Sequence, residues 1–173
     1  MRPKIHAFDG KTGAGKTTLS KKLAKELKAY RVSHDELLTT AYEKEHLERH
    51  HTDCCRRAND LAWKIIERVT ALGVDVVMEG WSGRELRDQI REKARELDLD
   101  VEFYFVSCPQ EERLKRIKIR NDHAADDAPY ISDENFSRME GLDDDFGDDE
   151  DFTEVKNGRP IKSPQPTAAS RRG

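Results

Sequence analysis

The sequence predicts an α/β fold: a three-layer sandwich with helices on both faces of a four- to five-stranded, mostly parallel sheet. Two observations carry this expectation. Short apolar runs alternate with longer stretches whose apolar residues recur every three to four positions, the two signatures of buried strand and amphipathic helix. Alternation of that kind returns each strand parallel to the last and covers the sheet with the intervening helices.

The first strand is the run containing Ile5, Ala7 and Phe8. It enters Gly10-Lys11-Thr12-Gly13-Ala14-Gly15-Lys16-Thr17, followed by Thr18, which fits the pattern G-x-x-x-x-G-K-[ST]. Beyond it Leu19, Leu23, Ala24 and Leu27 share one helical face, with Lys21, Lys22, Lys25 and Glu26 between them. Glycines at 10, 13 and 15 let backbone N–H groups approach an anion with no Cβ in the way. The helix that follows adds the positive end of its dipole. Lys16 is placed to reach β- and γ-phosphates, and the Thr17 hydroxyl to hold Mg²⁺. Strand, glycine loop and helix together identify a nucleoside triphosphate site.

The second strand is Ala29 to Ser33, and helical spacing resumes at Leu37, Leu38, Ala41 and Tyr42. Asp35 therefore sits at the carboxyl end of a parallel strand, the edge where open α/β sheets bind ligands. It also suits the start of a helix, and the two roles are compatible. Glu43 to Arg57 reads as a polar helix, with His46, His50 and Cys54 four apart on one face. These lack a fourth metal ligand at recognisable spacing, so a solvated face is expected there.

Leu61, Trp63, Ile65, Ile66, Val69 and Leu72 form an apolar helix that Gly73 terminates. Val74 to Met78 is β-branched and nearly continuous, as a strand buried on both faces requires. It ends at Glu79, an acid placed either to bind Mg²⁺ through water or to orient a substrate hydroxyl, or else an ordinary polar strand end. Gly83 to Leu97 follows as a helix with Leu86, Ile90, Ala94 and Leu97 inward and Arg84, Arg87 and Arg91 around them. Val101 to Val106 is the next strand.

The helix after Pro109 turns Leu114 and Ile117 inward, and no acid interrupts it from 113 to 120. Arg113, Lys115, Arg116, Lys118 and Arg120 form either a basic lid over a transferring phosphate or a charged surface helix. Asn121 to Tyr130 has no apolar periodicity and reads as a loop, and Ser132 opens a short helix. Asp143 to Asp151 is mostly acidic, and Gly158 to Gly173 is rich in Pro, Ser and Arg. The chain thus divides into a domain over 1–141, with its lid at about 113–132, and a largely disordered tail over 142–173. Phe152 to Val155 is the one stretch of that tail able to add an edge strand.

At 173 residues the chain has the size of one domain. A net charge of -4 argues against a broad nucleic-acid surface, though not against a local basic groove. Cys54, Cys55 and Cys108 are odd in number and the N-terminal residues are not signal-like, so free thiols in a reducing, cytoplasmic setting are expected. No apolar run approaches a membrane span.

A phosphate loop after strand one, an acid after strand two, an acid after strand three and arginines on a later helix resemble the P-loop kinases. The nearest branch holds polynucleotide 5′-hydroxyl kinases, zeta-type toxins and small antibiotic-modifying kinases. The resemblance covers about residues 4 to 141 and implies a P-loop NTPase sandwich with a helical lid, using ATP and Mg²⁺. In that branch the acid after strand two is the general base, which Asp35 matches. A lid pattern R-x-x-x-R matches Arg116 and Arg120, with Arg120 at the transferring phosphoryl group and Arg116 assisting. Glu79 corresponds to the acid after strand three, where the branch more often has Asp. Asp9, just before the loop, stands where a small or apolar residue is common. The function expected is transfer of the γ-phosphate of Mg-ATP to a hydroxyl of a small molecule. A polynucleotide 5′-hydroxyl is the alternative acceptor, and a nucleotide-dependent interaction module with slow ATP hydrolysis the alternative class. No motif reads adenine against guanine or sets the oligomeric state.

Overall fold

Strand β1 (Lys4–Asp9) lies at the centre of the sheet because its residues are apolar on both sides. Ile5 and Ala7 point into one core, and Phe8 into the other, as the twofold alternation of a strand demands. A computed structural model describes residues 2–45, 52–122, 131–140 and 145–156. After β1 the elements run α1 (Lys16–Leu27), β2 (Tyr30–Ser33), α2 (His34–Glu45), α3 (Thr52–Ala71), β3 (Val76–Glu79) and α4 (Arg84–Glu96). Then come β4 (Asp100–Ser107), α5 (Gln110–Asp122), α6 (Asp133–Glu140) and β5 (Thr153–Lys156).

The strands lie in the order β2-β3-β1-β4-β5, and every pairing is parallel. Val76 and Met78 of β3 pack with Ala62 and Ile66 of α3 and Ile90 and Ala94 of α4 on one face. Val77 packs with Leu19, Leu23 and Ala24 of α1 on the other. Each such buried aliphatic side chain contributes on the order of 1.5–3 kcal/mol relative to exposure. This is the three-layer α/β sandwich expected from the sequence.

Three details differ from the sequence reading. The polar helix expected over Glu43 to Arg57 is not separate from the apolar helix that follows it: α3 runs without a break from Thr52 to Ala71, while Glu43 to Glu45 belong to α2 and residues 46–51 lie outside the described residues. The reason is a stripe of small residues at helical spacing, Cys54, Ala58, Ala62 and Ile66, each with no exposed surface. That stripe carries the apolar face back toward the start of α3 and puts the Cys54 thiol in a core with Leu38. His46, His50 and His51 lie outside the described residues, and no metal-binding group occurs among those described.

The second difference is at the C-terminal end. The sequence places residues 145–156 in a largely disordered tail, whereas they pack on the domain; β5 along β4, with Val155 opposite Val106, is the edge strand expected from Phe152 to Val155. Phe146 packs edge-on against Phe103 and Phe105. The third is the helix over 110–122, whose expected all-basic surface is partly neutralised: Glu111 pairs with Lys115 and Glu112 with Arg116, each one turn earlier. The loop expected over 121–130 falls mostly outside the described residues. No described helix is long and apolar enough to cross a membrane.

Candidate functional site

The loop between β1 and α1 is built around three glycines with positive φ: Gly10 at 134°, Gly13 at 81° and Gly15 at 99°. At Gly10 a Cβ would stand 2.5 Å from the Val106 carbonyl oxygen of β4, so no other residue fits without moving the sheet. At Gly13 it would stand 3.0 Å from the Arg113 carbonyl oxygen of α5. Gly15 caps α1 without a side chain to occupy the first amides, and no acid lies in the first turn. The amides and dipole of that helix end thus face the loop uncompensated, the arrangement that holds anions. Lys16 folds over the same loop, its ammonium donating to the carbonyls of Gly10 and, at 3.2 Å, of Lys11. Ala14 N–H closes a turn onto the Lys11 carbonyl at 3.1 Å, and Thr12 Oγ1 meets Met139 Sδ of α6 at 3.5 Å. Thr17 and Thr18 are exposed in the first turn of α1.

Two carboxylates stand at the ends of neighbouring strands. Asp35 is exposed in the first turn of α2, directly after β2. Glu79 closes β3 opposite Ser33 of β2 and is buried. Its carboxylate accepts a hydrogen bond from Arg31, whose guanidinium also spans both oxygens of Glu36 at 3.1 and 2.9 Å. The Arg31 hydrogen bond holds the Glu36 carboxyl below its usual range. Arg31 is a residue the sequence reading leaves as plain strand. The signal available was a lone arginine in the strand beside one that ends in an acid.

Helix α5 contributes unequally. Arg116 reaches the loop, donating to the Ala14 carbonyl at 3.3 Å. Arg120 is exposed one turn further on. Arg113, which the sequence reading does not separate from its basic neighbours, is buried and braces three elements. It donates to the Thr12 carbonyl at 3.2 Å and to both oxygens of Glu140 in α6 at 2.5 and 2.8 Å.

Asp9, next to the loop, is buried and ion-paired, which accounts for a carboxylate where a small residue was expected. Arg87 of α4, with no exposed surface, donates to Asp9 at 2.7 Å and to both oxygens of Glu150 at 2.9 and 2.8 Å. A cation so deeply buried is tolerated only with paired carboxylates and full hydrogen bonding. Phe146 covers the guanidinium face, its ring centre 4.0 Å away. The Arg87 hydrogen bonds lower the Glu150 carboxyl to about 2 from an ordinary 4.5, against the opposing effect of burial.

A depressed folded-state value means stability that is present above the unfolded value and lost as pH falls toward the folded one. The Glu150 charge accordingly contributes up to about 3 kcal/mol at neutral pH, fading between about pH 4.5 and 2. Thermal melts of wild type and Glu150→Gln are expected to differ widely at pH 7 and to converge as pH falls through that window.

A groove of about 490 Å³ between α3 and α4, with Trp63, Trp81 and Asn59 in its walls, includes none of the loop residues.

Comparison with known proteins gives the family and the fold. A family described as an AAA domain matches residues 5–141. No curated protein matches the sequence significantly. Among solved structures, an unliganded sugar kinase from Janibacter sp. HTCC2649 superposes with a TM-score of 0.66 at 15% identity, covering 91% of this chain and 87% of that one. Chaetomium thermophilum Kti12 in complex with ADP-AlF3 gives 0.66 at 15% identity, covering 89% of both chains. A chain of the Pnkp1/Rnl/Hen1 RNA repair complex gives 0.65 at 19% identity, with 81% of this chain matching 43% of that one. The fold is that of a P-loop NTPase.

Proposed function

The chain belongs to the AAA-domain family, matched over residues 5–141, in keeping with the P-loop kinase superfamily; on that premise we propose that it transfers the γ-phosphate of Mg-ATP to a hydroxyl group of a small molecule. One observation carries the reading: an uncapped helix start and a lysine converge on a glycine loop, at the same sheet edge as the exposed carboxylate of Asp35, which follows β2 with only β3 between β2 and β1. The sugar kinase among the structural neighbours supports a small hydroxylic acceptor.

Phosphoryl transfer asks little covalent chemistry of the protein, so positioning and charge neutralisation dominate. The loop amides other than those of Gly10 and Ala14, which are bonded to Asp9 and the Lys11 carbonyl, hold the β- and γ-phosphates together with Lys16. The acceptor oxygen bonds to the γ-phosphorus as the bond to the β–γ bridging oxygen breaks, and ADP leaves. Asp35 takes the proton of the acceptor hydroxyl. Arg116, already at the loop, and Arg120 neutralise charge on the transferring group. Thr17, exposed at the start of α1, suits a Mg²⁺ ligand; bound there, the ion neutralises phosphate charge. Glu79 accepts from Arg31 through one oxygen, and a role at the metal would be through water on its other oxygen.

The test is transfer of labelled γ-phosphate to pooled sugars, nucleosides, aminoglycosides and 5′-hydroxyl oligonucleotides. Label on a small acceptor, with rates nearly independent of salt, is the expected result. A steep fall between low and moderate salt, with label on the oligonucleotide, would instead establish the second reading, since each phosphate the protein neutralises releases counterions. The RNA repair complex among the neighbours favours that alternative, while pairing of Lys115 and Arg116 with Glu111 and Glu112 weakens it.

A further inference from the structure

We propose that the C-terminal segment 145–156 positions the phosphate loop, with Glu150, Arg87 and Asp9 as positioning residues acting in series on the first loop glycine. The inference rests on the reading of that loop as a nucleotide site, and two routes in the structure lead to the same atom group. The first is polar. Glu150 holds Arg87 through two hydrogen bonds, and Arg91 donates to Glu150 at 2.6 Å from the next turn of α4. Arg87 in turn holds one oxygen of Asp9, and the other oxygen of Asp9 accepts the Gly10 N–H at 2.5 Å. Both Asp9 oxygens are thereby assigned, and the orientation of the Gly10 peptide follows from where Glu150 places Arg87.

The second route is the sheet. β5 pairs Val155 with Val106, and the Val106 carbonyl is the group against which the Gly10 backbone packs. Segment 145–156 therefore bears on Gly10 from the side of α4 and from the side of β4. Gly10 also presents its own carbonyl, in the next peptide unit, to Lys16, so a shift of this residue moves the ammonium that faces the phosphates. Arg87, with no exposed surface, meets the two buried carboxylates Asp9 and Glu150, and the half-buried Arg91 bridges Glu150 to the exposed Asp88. Loss of either carboxylate leaves Arg87 to re-centre on the one remaining.

The experiment measures Mg-ADP affinity by titration calorimetry, well below the melting temperature, for the full chain, Asp9→Asn, Glu150→Gln and the double variant. Each single variant is expected to weaken binding about tenfold. The double variant is expected to lose about the same tenfold rather than the product, because both act through one guanidinium. Asp149→Asn, which breaks the exposed Arg84–Asp149 pair of the same segment but does not touch Asp9, is expected to stay within about twofold.

Folded single variants that bind as wild type does, or losses that multiply in the double variant, would overturn the proposal. Should Glu150→Gln not fold, Asp9→Asn alone decides by the same affinity criterion. A wild-type chain that binds no Mg-ADP, or no better than Lys16→Ala, would overturn the nucleotide-site reading itself, a result distinguishable from the others.

Discussion

Replacing Asp35 by Asn is expected to lower phosphate transfer by about 10²–10⁴ while nucleotide affinity stays within about threefold of wild type. The substitution keeps size and shape while removing the negative charge and with it the capacity to accept a proton. Asp35 is exposed and its backbone carbonyl serves α2 by accepting from Thr39 Oγ1 at 2.9 Å, a bond the substitution leaves alone. Glu36 remains in the first turn to meet the helix dipole, so the cost to α2 is at most about 1 kcal/mol. A folded, nucleotide-binding protein that no longer turns over is thus the specific signature of a lost general base. Transfer at the wild-type rate would leave Asp35 a helix-start residue and move the base elsewhere on this edge. Rates from the labelled-phosphate assay and affinity from calorimetry decide it together.

The loop was legible because every feature it needs is local. Gly10, Gly13, Gly15, Lys16 and Thr17 lie within eight consecutive residues, and the flanking strand and helix announce themselves by period. The alternation of buried strands with amphipathic helices settled the sheet in the same way. Interactions that lock the site were not legible, because their partners are far apart in sequence. Arg31 finds Glu79 48 residues away, and Arg87 finds Glu150 63 residues away. Nothing near Arg87 marks Glu150 as its partner, and the lone arginine of β2 points to Glu79 only once β2 and β3 are known to be neighbours.

The acidic C-terminal stretch illustrates the physical reason. Read alone, its composition cannot bury enough apolar surface to order the chain. Yet Arg84, Arg87 and Arg91, spaced along one side of α4, present the cations that Asp149 and Glu150 need. Phe146 and Val155 add apolar contact on either side of them. The sequence reading treated the two charge runs separately, although the fold joins them. Helix α3 was misread for a related reason: Cys54 and Ala58 look polar or neutral in isolation, and only burial shows them extending the apolar stripe.

Lys16→Ala is expected to weaken Mg-ATP binding by at least about 100-fold, the effect of removing a charge-assisted contact from a site built for anions. Two consequences of the substitution must be separated. The Lys16 ammonium donates to the carbonyls of Gly10 and Lys11, so its removal also loosens the empty loop and lowers the melting temperature somewhat. Binding is therefore read as the shift that nucleotide produces in each protein, not as the absolute melting point. At a ligand concentration 100 times the wild-type dissociation constant, wild type gains about 2.7 kcal/mol. For a domain of this size that is a rise of roughly 5–10 °C. The same concentration equals the dissociation constant of a variant weakened 100-fold, whose gain falls to about 0.4 kcal/mol, near the limit of detection. A variant that melts lower but keeps the full nucleotide shift would show Lys16 to be a brace for the loop carbonyls alone. The triphosphate would then owe its place to the backbone amides and the dipole of α1.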